Sequence, residues 1–212
     1  MSAPQKATRE RLVEAAERLF ADGGLEGVSL RRVAAAAGVN SAAVHYHFGS
    51  REALVEAVVM NRLARVQARR EELLAAVREA NDPHDLRRLV EVLVLPLAEL
   101  VQAQPESGRA YIRLLSKLYR DPQVLEIVTR HFGASYLEIG DWAAVALPQV
   151  PRPVLNRRLR LIVQCALAML ADPDVFRGAG GTRVESRRAV AETVDFLVGA
   201  LCGPPAPAAA RT

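Results

Sequence analysis

Cysteine, aromatic residues and enzyme motifs are scarce in this sequence, and each scarcity excludes a class of protein. The chain of 212 residues has 2 cysteines, Cys165 and Cys202, and they do not form a CxxC pair. This pattern excludes a zinc ribbon and a disulfide framework. Both cysteines lie in apolar stretches, so we expect buried core thiols and not redox sensors. Aromatic residues make up 5% of the chain.

The chain also lacks an apolar run long enough to cross a membrane. The most apolar windows are residues 89–101 and 159–171, each shorter than the ~20 residues that a spanning helix needs. Each window contains a charge, at Glu91 or Arg160. Residues 1–9 have no apolar core of the kind found in secretory signal peptides. We therefore expect a cytoplasmic protein with no membrane partner.

Short catalytic signatures are missing as well. The sequence contains no HExxH, no Glu-x-x-His pair and no G-x-S-x-G, which argues against a metalloprotease, a di-iron bundle and an α/β-hydrolase. We expect no enzyme activity, no cofactor and no metal site.

The residues that are abundant favour helix. Half of the chain is apolar and a quarter is charged, and Ala, Leu, Arg, Val and Glu dominate, most of which favour helix. The net charge is +4 and the pI is about 9.5, which permits nucleic acid or an anionic membrane as partner and decides neither. We predict an all-α protein of about nine helices.

Glycine, serine and proline divide the chain into regions. Residues 1–7 are expected to be frayed, and the first helix is expected from about Thr8 to Ala21. Ser29 and Ser50 are predicted N-caps of later helices. The predicted regions are a helix-turn-helix domain at residues 1–50, a helical ligand-binding and dimerisation domain at residues 51–203 and a disordered tail at residues 204–212. A Gly-rich loop is predicted at residues 177–182.

Residues 30–47 read as two short helices joined by a tight turn. Two helices that cross steeply need a small residue where they touch and a glycine where the chain turns, and Ala34 and Gly38 occupy those places. The helical period directs Val44 inward and Ser41 and His45 outward. Small and polar side chains at the start of a helix suit the major groove of DNA. The predicted DNA-binding residues are Ser29, Arg31, Asn40, Ser41, Ala42, His45, Tyr46, His47 and Arg51.

The alternative for these residues is an ordinary solvated helix face, and for His45 and His47 it is a metal site. Residues i and i+2 point to different sides of a helix, and the motif has no carboxylate nearby. The surrounding motif favours contact with DNA over both alternatives.

This motif resembles the DNA-binding domain of the TetR family of repressors. Residues 38–54 read GVNSAAVHYHFGSREAL, and the run from Leu12 to Phe20 followed by GLEGVSL and RRVA agrees as well. The likeness covers roughly residues 8–60, and the family usually has tyrosine where this chain has His45. The resemblance implies a homodimer that binds DNA and carries a variable ligand-binding region after residue 60.

The resemblance and the apolar pattern together predict a dimer interface in the last two helices. The segment 159–171 is apolar nearly all round, and a second stripe follows it near the C-terminus, so two such helices from each subunit would form a four-helix bundle. The alternative is that both helices fill the core of a monomer. The predicted interface residues are Leu159, Ile162, Val163, Ala166, Leu170, Val190, Val194, Leu197 and Leu201.

Helices 4 to 7 of the predicted nine could enclose a small-molecule pocket, although core packing explains the same residues equally well. An apolar lining with a few polar groups suits an apolar or amphipathic effector. The predicted lining residues are Leu93, Leu97, Tyr111, Leu115, Phe132, Tyr136, Trp142 and Met169.

The sequence thus predicts a DNA-binding transcriptional regulator, a repressor that leaves a palindromic operator when an effector binds. The alternatives are a DNA-binding regulator without an effector and a protein–protein adaptor that keeps the fold.

Overall fold

The fold is helical throughout the described part of the chain, which confirms the predicted class. The computed structural model describes residues 3–119, 121–172 and 187–204. Nine helices lie in these ranges: α1 Ala3–Gly23, α2 Leu30–Ala36, α3 Ser41–Phe48, α4 Arg51–Ala80, α5 Leu86–Ala103, α6 Pro105–Leu118, α7 Pro122–Ala146, α8 Arg152–Ala171 and α9 Arg187–Cys202. The predicted loop at 177–182 and residues 205–212 of the predicted tail lie outside the described residues.

Side-chain caps explain where several helices begin. Each cap places an oxygen against a backbone N–H that the helix itself cannot pair. The predicted caps Ser29 and Ser50 are confirmed, since they accept from the amides of Arg32 and Ala53. Further caps are Asn40, Asp85 and Asp121.

The first helix is longer than predicted. Residues 3–7 are helical and not frayed, and two hydrogen bonds connect this segment to later residues. The Thr8 hydroxyl donates to the carbonyl of Pro4 (3.0 Å), and Gln5 Nε2 donates to the hydroxyl of Tyr46 (3.0 Å). The added turn of α1 therefore contacts α3.

The helices form a small head, α1–α3, attached to a larger bundle. α4 has 30 residues, about 45 Å of helix, and it begins in the head and continues along the bundle. α5 lies centrally and packs against α4, α6, α7, α8 and α9, while α1 packs against α4 and α6. The buried apolar residues form one continuous core that runs from the head into the bundle.

The residues predicted for the dimer interface belong to this core. The most exposed of the nine, Val190, has 5% of its surface accessible. α8 packs against α5 and α6, and α9 packs against α5, so these stripes are covered by the same chain. The nine residues are Leu159, Ile162, Val163, Ala166, Leu170, Val190, Val194, Leu197 and Leu201.

The two cysteines also differ from expectation. Cys165 and Cys202 are both exposed, although each lies in an apolar stretch of sequence. Each is on the outer side of its helix, because the large aliphatic neighbours take the inner side.

Gly108 allows α5 and α6 to approach each other closely, and this contact gives a testable prediction. A Cβ added there would lie 2.8 Å from the carbonyl oxygen of Leu100 and 3.0 Å from Cα of Val101. Because both are backbone atoms, the helices would have to separate, and we expect Gly108→Ala to lower the free energy of unfolding by about 2 kcal/mol. Thermal denaturation measures this loss.

Gly133→Ala is the matched control for that substitution. A Cβ at Gly133 meets only the Thr129 methyl at 3.8 Å, and alanine is the better helix former, so this variant should be neutral or stabilised. Equal melting temperatures for the two variants would contradict the close approach at Gly108.

Candidate functional site

The turn between α2 and α3 brings two short helices into a compact pair. Gly38 has φ +65°, a left-handed conformation that glycine adopts without steric cost. Val33, Ala34 and Val44 are almost completely buried between the helices of the head. The side of α3 that carries Val44 is therefore fixed inward.

The opposite side of α3 is open to solvent. Asn40 caps the helix by accepting from the amide of Ala42 (3.0 Å). Ser41, Ala42 and His45 follow at three- and four-residue spacing and are all exposed. They form one face of small and polar groups, which suits close approach to base edges.

Tyr46 and His47 lie beside this face and differ in how far their side chains are exposed to solvent. Tyr46 is 71% exposed, and its hydroxyl accepts from Gln5, which leaves the hydroxyl proton available to a further acceptor. His47 is half-buried, with its ring edge-on to Tyr46 at 5.2 Å between centroids. Sequence reasoning missed Gln5, whose only signal is its place one helical turn beyond the matched motif.

The start of α2 and the start of α4 lie on either side of one open depression. Ser29 and Arg51 both line it, and Arg31 is exposed on the first turn of α2. Arg51 Nη2 donates to the carbonyl of Leu25, so its guanidinium is oriented by the α1–α2 loop while its other N–H groups stay available.

Two arginines near the exposed face of α3 were not predicted as site residues. Arg32 is exposed, and its Nη1 donates to the carbonyl of Gly27 (3.3 Å). Arg9 lies over the Phe48 ring at 5.2 Å, a cation–π contact that holds α1 against α3. At the first turn of α4, backbone hydrogen bonding and the Ser50 hydroxyl lower the pKa of Glu52.

A second candidate site is a small cavity in the bundle. It measures about 30 Å³ and is lined by apolar and aromatic side chains from α4 to α8 with one charge, Arg70. The lining residues are Leu63, Arg70, Leu97, Leu115, Tyr119, Val128, Phe132, Tyr136, Val163 and Leu167. A half-open groove of about 360 Å³ shares Tyr119, Val128 and Tyr136 with it.

Four of the eight predicted pocket residues line this cavity, namely Leu97, Leu115, Phe132 and Tyr136. The other four lie elsewhere. Leu93 is fully buried in the core, and the Tyr111 hydroxyl donates to the carbonyl of Val59. Trp142 interacts with Glu138, and Met169 Sδ accepts from the Thr193 hydroxyl (3.3 Å). These four do not border this cavity, and helical spacing does not say which inward residues border a void.

The outer sides of α8 and α9 carry a third surface. Leu161 and Phe196 are 51% and 71% exposed. Leu161, Gln164 and Ala168 share one face of α8, and Phe196 and Gly199 share one face of α9. Gly203 follows directly after the last residue of α9, Cys202. We call these six residues the outer face.

The head connects to the bundle through Arg62 on α4. Its guanidinium pairs with the Glu17 carboxylate of α1 (3.1 Å) and also donates to Gln104 (2.9 Å) and Ser107 (3.2 Å). Lys117 of α6 donates to the carbonyl of Ala21 (2.6 Å) at the end of α1. We call these contacts the head–bundle junction.

Comparison with known families identifies both regions. Residues 12–58 match the model of bacterial regulatory proteins of the tetR family. Residues 91–200, just over half of the chain, match the tetracyclin repressor-like C-terminal domain. The protein belongs to the TetR family. It is therefore a DNA-binding transcriptional regulator and not an enzyme.

Relatives of this TetR-family protein agree with that assignment. The HTH-type transcriptional regulator BetI of Rhizobium meliloti (strain 1021) is 31% identical over 120 residues, so the match spans 57% of this chain and only 56% of BetI. UidR of Escherichia coli (strain K12), also an HTH-type transcriptional regulator, is 20% identical over 179 residues, with 81% and 84% of the two chains covered.

The fold is shared with solved structures of the family. NalD, the secondary repressor of the MexAB-OprM multidrug efflux pump in Pseudomonas aeruginosa, has a TM-score of 0.61 and 21% identity, with 95% of this chain and 98% of NalD covered. HlyIIR, a hemolysin II transcriptional regulator, has a TM-score of 0.58 and 17% identity over 94% and 99% of the chains. At these identities the likeness concerns the fold.

Within the described ranges of this TetR-family chain, no group of three or more His, Cys, Asp or Glu is arranged to hold a metal ion. No helix there is long and apolar enough to span a membrane.

Proposed function

We propose that this protein is a repressor that binds a palindromic operator as a homodimer and releases it when a small apolar or amphipathic effector enters the cavity. The observation that carries the proposal is the course of α4. Its first residue, Arg51, lies beside the exposed face of the head, and Leu63 and Arg70 further along line the cavity. One helix thus joins both sites, so a displacement of α4 at the cavity also displaces its first turn beside the head.

In this proposal α3 is the recognition helix. Ser41, Ala42 and His45 face base edges, while Asn40 and Tyr46 lie at the edge of the contact. Phosphates are bound by Arg31, Arg51 and the free N–H groups at the start of α2, next to Ser29. His47, being half-buried, supports Tyr46 and contacts phosphate only at its exposed edge.

The head–bundle junction supports coupling between the two sites. Arg62 holds α1 and the α5–α6 connection at once, so a displacement of α4 or α6 moves the head. A dimer reads two half-sites at one spacing, and an effector that prefers another head separation lowers operator affinity by its differential affinity.

The outer face of α8 and α9 is the proposed dimer interface. Leu161 and Phe196 supply apolar area that is uncovered in one chain, and Gly199 has no heavy atom within 4 Å of an added Cβ. Small residues beside exposed apolar ones let helices of two subunits pack closely as a four-helix bundle.

The test of DNA binding begins with footprinting on the DNA upstream of the protein's own gene. We expect His45→Ala to weaken operator binding by roughly ten- to a hundredfold, the value of one good base contact. Circular dichroism should show an unchanged fold, since His45 is exposed. His84→Ala, an exposed histidine before α5, is the matched control, and equal affinities for the two variants would exclude the proposed face.

Salt dependence tests the phosphate contacts separately. Two arginines in each of two subunits contact four phosphates in total. The logarithm of the binding constant should therefore fall with the logarithm of the salt concentration with a slope of about −3.6, because counterions are released on binding. Arg31→Ala removes two contacts per dimer and should reduce the magnitude of the slope by about 1.8. A gel-shift titration across salt concentrations measures both, and a slope near zero would contradict phosphate binding by these residues.

One observation favours a second candidate, a regulator without an effector. The cavity, about 30 Å³, holds little more than a water molecule. Thermal-shift screening separates the candidates, because an effector that binds the folded state raises the melting temperature.

A further inference from the structure

We infer that the effector carries an anionic group, most simply a carboxylate, which Arg70 binds inside the cavity. This inference rests on the proposed function, since it names the chemical class of that effector. Arg70 lies in the middle of α4 and is 3% exposed. Its guanidinium carbon lies 5.3 Å from the ring centroid of Phe132 and 5.2 Å from that of Tyr136. The positive charge is thus enclosed by aromatic rings.

Arg70 has no carboxylate partner among the residues that the structure describes, and its buried Nε has no hydrogen-bond partner. Arginine stays charged in proteins, and an enclosed charge without a counter-ion is costly. Two other arginines of the same helix are paired with carboxylates, since Arg69 contacts Glu99 and Arg78 contacts Glu138. The unpaired charge therefore requires an explanation that is specific to the cavity.

The lining of the cavity and its groove suits an anion. Besides Arg70 in the cavity, Arg160 lines the groove, and the residues that border the two spaces include no Asp or Glu in the described part of the chain. Tyr119 borders both spaces, and burial together with its hydrogen bond to Tyr136 raises the pKa of its phenol, so it adds no negative charge to the lining.

The lining and size of the cavity also restrict the chemistry of the rest of the ligand. A planar carboxylate can accept two parallel N–H bonds from a guanidinium, and the walls around it are leucine, valine and aromatic side chains. The cavity is small, about 30 Å³, so the body of the ligand extends past Tyr119, Val128 and Tyr136 into the groove of about 360 Å³. The expected class is an aliphatic or arylalkyl carboxylate.

Matched pairs of acids and amides test the charge directly. Octanoate is compared with octanamide, and 4-phenylbutyrate with 4-phenylbutanamide, by calorimetric titration of the full-length protein. Wild type should bind at least one acid roughly tenfold or more tightly than its amide, the scale of a charge-assisted hydrogen bond. In Arg70→Met this preference should vanish, whereas Arg65→Met, which removes an exposed arginine from the same helix, should keep it.

The melting temperature of the ligand-free variants separates binding from a structural role. Removing an uncompensated buried charge should leave the melting temperature of Arg70→Met unchanged or raise it. A lower melting temperature together with equal weakening of acids and amides would make Arg70 a structural residue and overturn the inference.

The remaining outcomes separate this inference from the proposed function. Amides that bind as tightly as acids and still release operator DNA would overturn the anionic class and leave an effector-gated repressor. No binding by either acid in wild type would overturn the inference. An acid that binds through Arg70 without changing operator affinity would support the anion site and contradict effector release.

Discussion

Replacing Phe196 with glutamate is expected to give monomers and to weaken operator binding by roughly a hundredfold or more. Phe196 is 71% exposed in the single chain, and in the proposed dimer it lies at the centre of the outer face. A carboxylate there would be buried without a partner, which typically costs several kcal/mol. A single head reads only a half-site and loses half of the DNA contacts. Analytical ultracentrifugation and gel shift measure the two effects.

The exposure of Phe196 makes the result interpretable. The adjacent Leu197 is 2% exposed, so a charge there would unfold the chain and say nothing about the dimer. Val145→Glu on α7, where the side chain is 60% exposed, is the matched control and should remain dimeric. A Phe196→Glu protein that sediments as a dimer and keeps its operator affinity would place the interface on another surface.

Arg62→Met is expected to lower the free energy of unfolding by about 3 kcal/mol, or roughly 6–12 °C in melting temperature. The side chains of Arg62 and Glu17 are 19% and 12% exposed. Removal of the arginine therefore leaves a largely buried carboxylate that, among the described residues, keeps the hydrogen bond from Asn61 (3.2 Å). Thermal and urea denaturation measure the loss.

A double substitution shows whether the loss comes from the stranded charge. Glu17→Gln combined with Arg62→Met removes both charges and should recover a large part of the stability, because the cost lies in one unpaired partner. Arg69→Met breaks the more exposed contacts with Glu99 and Glu72 and should cost less than about 1 kcal/mol. If Arg62→Met lowers the free energy of unfolding by no more than Arg69→Met does, the head–bundle junction does not stabilise the attachment of the head to the bundle.

Local signals predicted the head well. Ser29 and Ser50 cap helices as expected, and Gly38 adopts the left-handed turn. These features depend on hydrogen bonds and backbone angles within a few residues, so the sequence around them is sufficient. The inward side of α3 follows similarly, because Val44 and its polar neighbours divide cleanly between two faces of one helix.

Arg70 illustrates what local signals miss. In sequence it is one of several arginines along α4, with nothing to separate it from Arg65 or Arg69. Its burial depends on Phe132 and Tyr136, which come from α7 more than 60 residues later.

The sequence by itself determined the all-helical class, the caps Ser29 and Ser50, the turn of the DNA-binding motif and the family. Only the tertiary structure decided which side of α8 and α9 meets the chain's own core, and that Cys165 and Phe196 face outward. The reason is physical. The helical period groups residues into faces, but burial of an apolar face is equally favourable against the same chain or a second copy. The packing of α5 against α8 and α9 makes that choice.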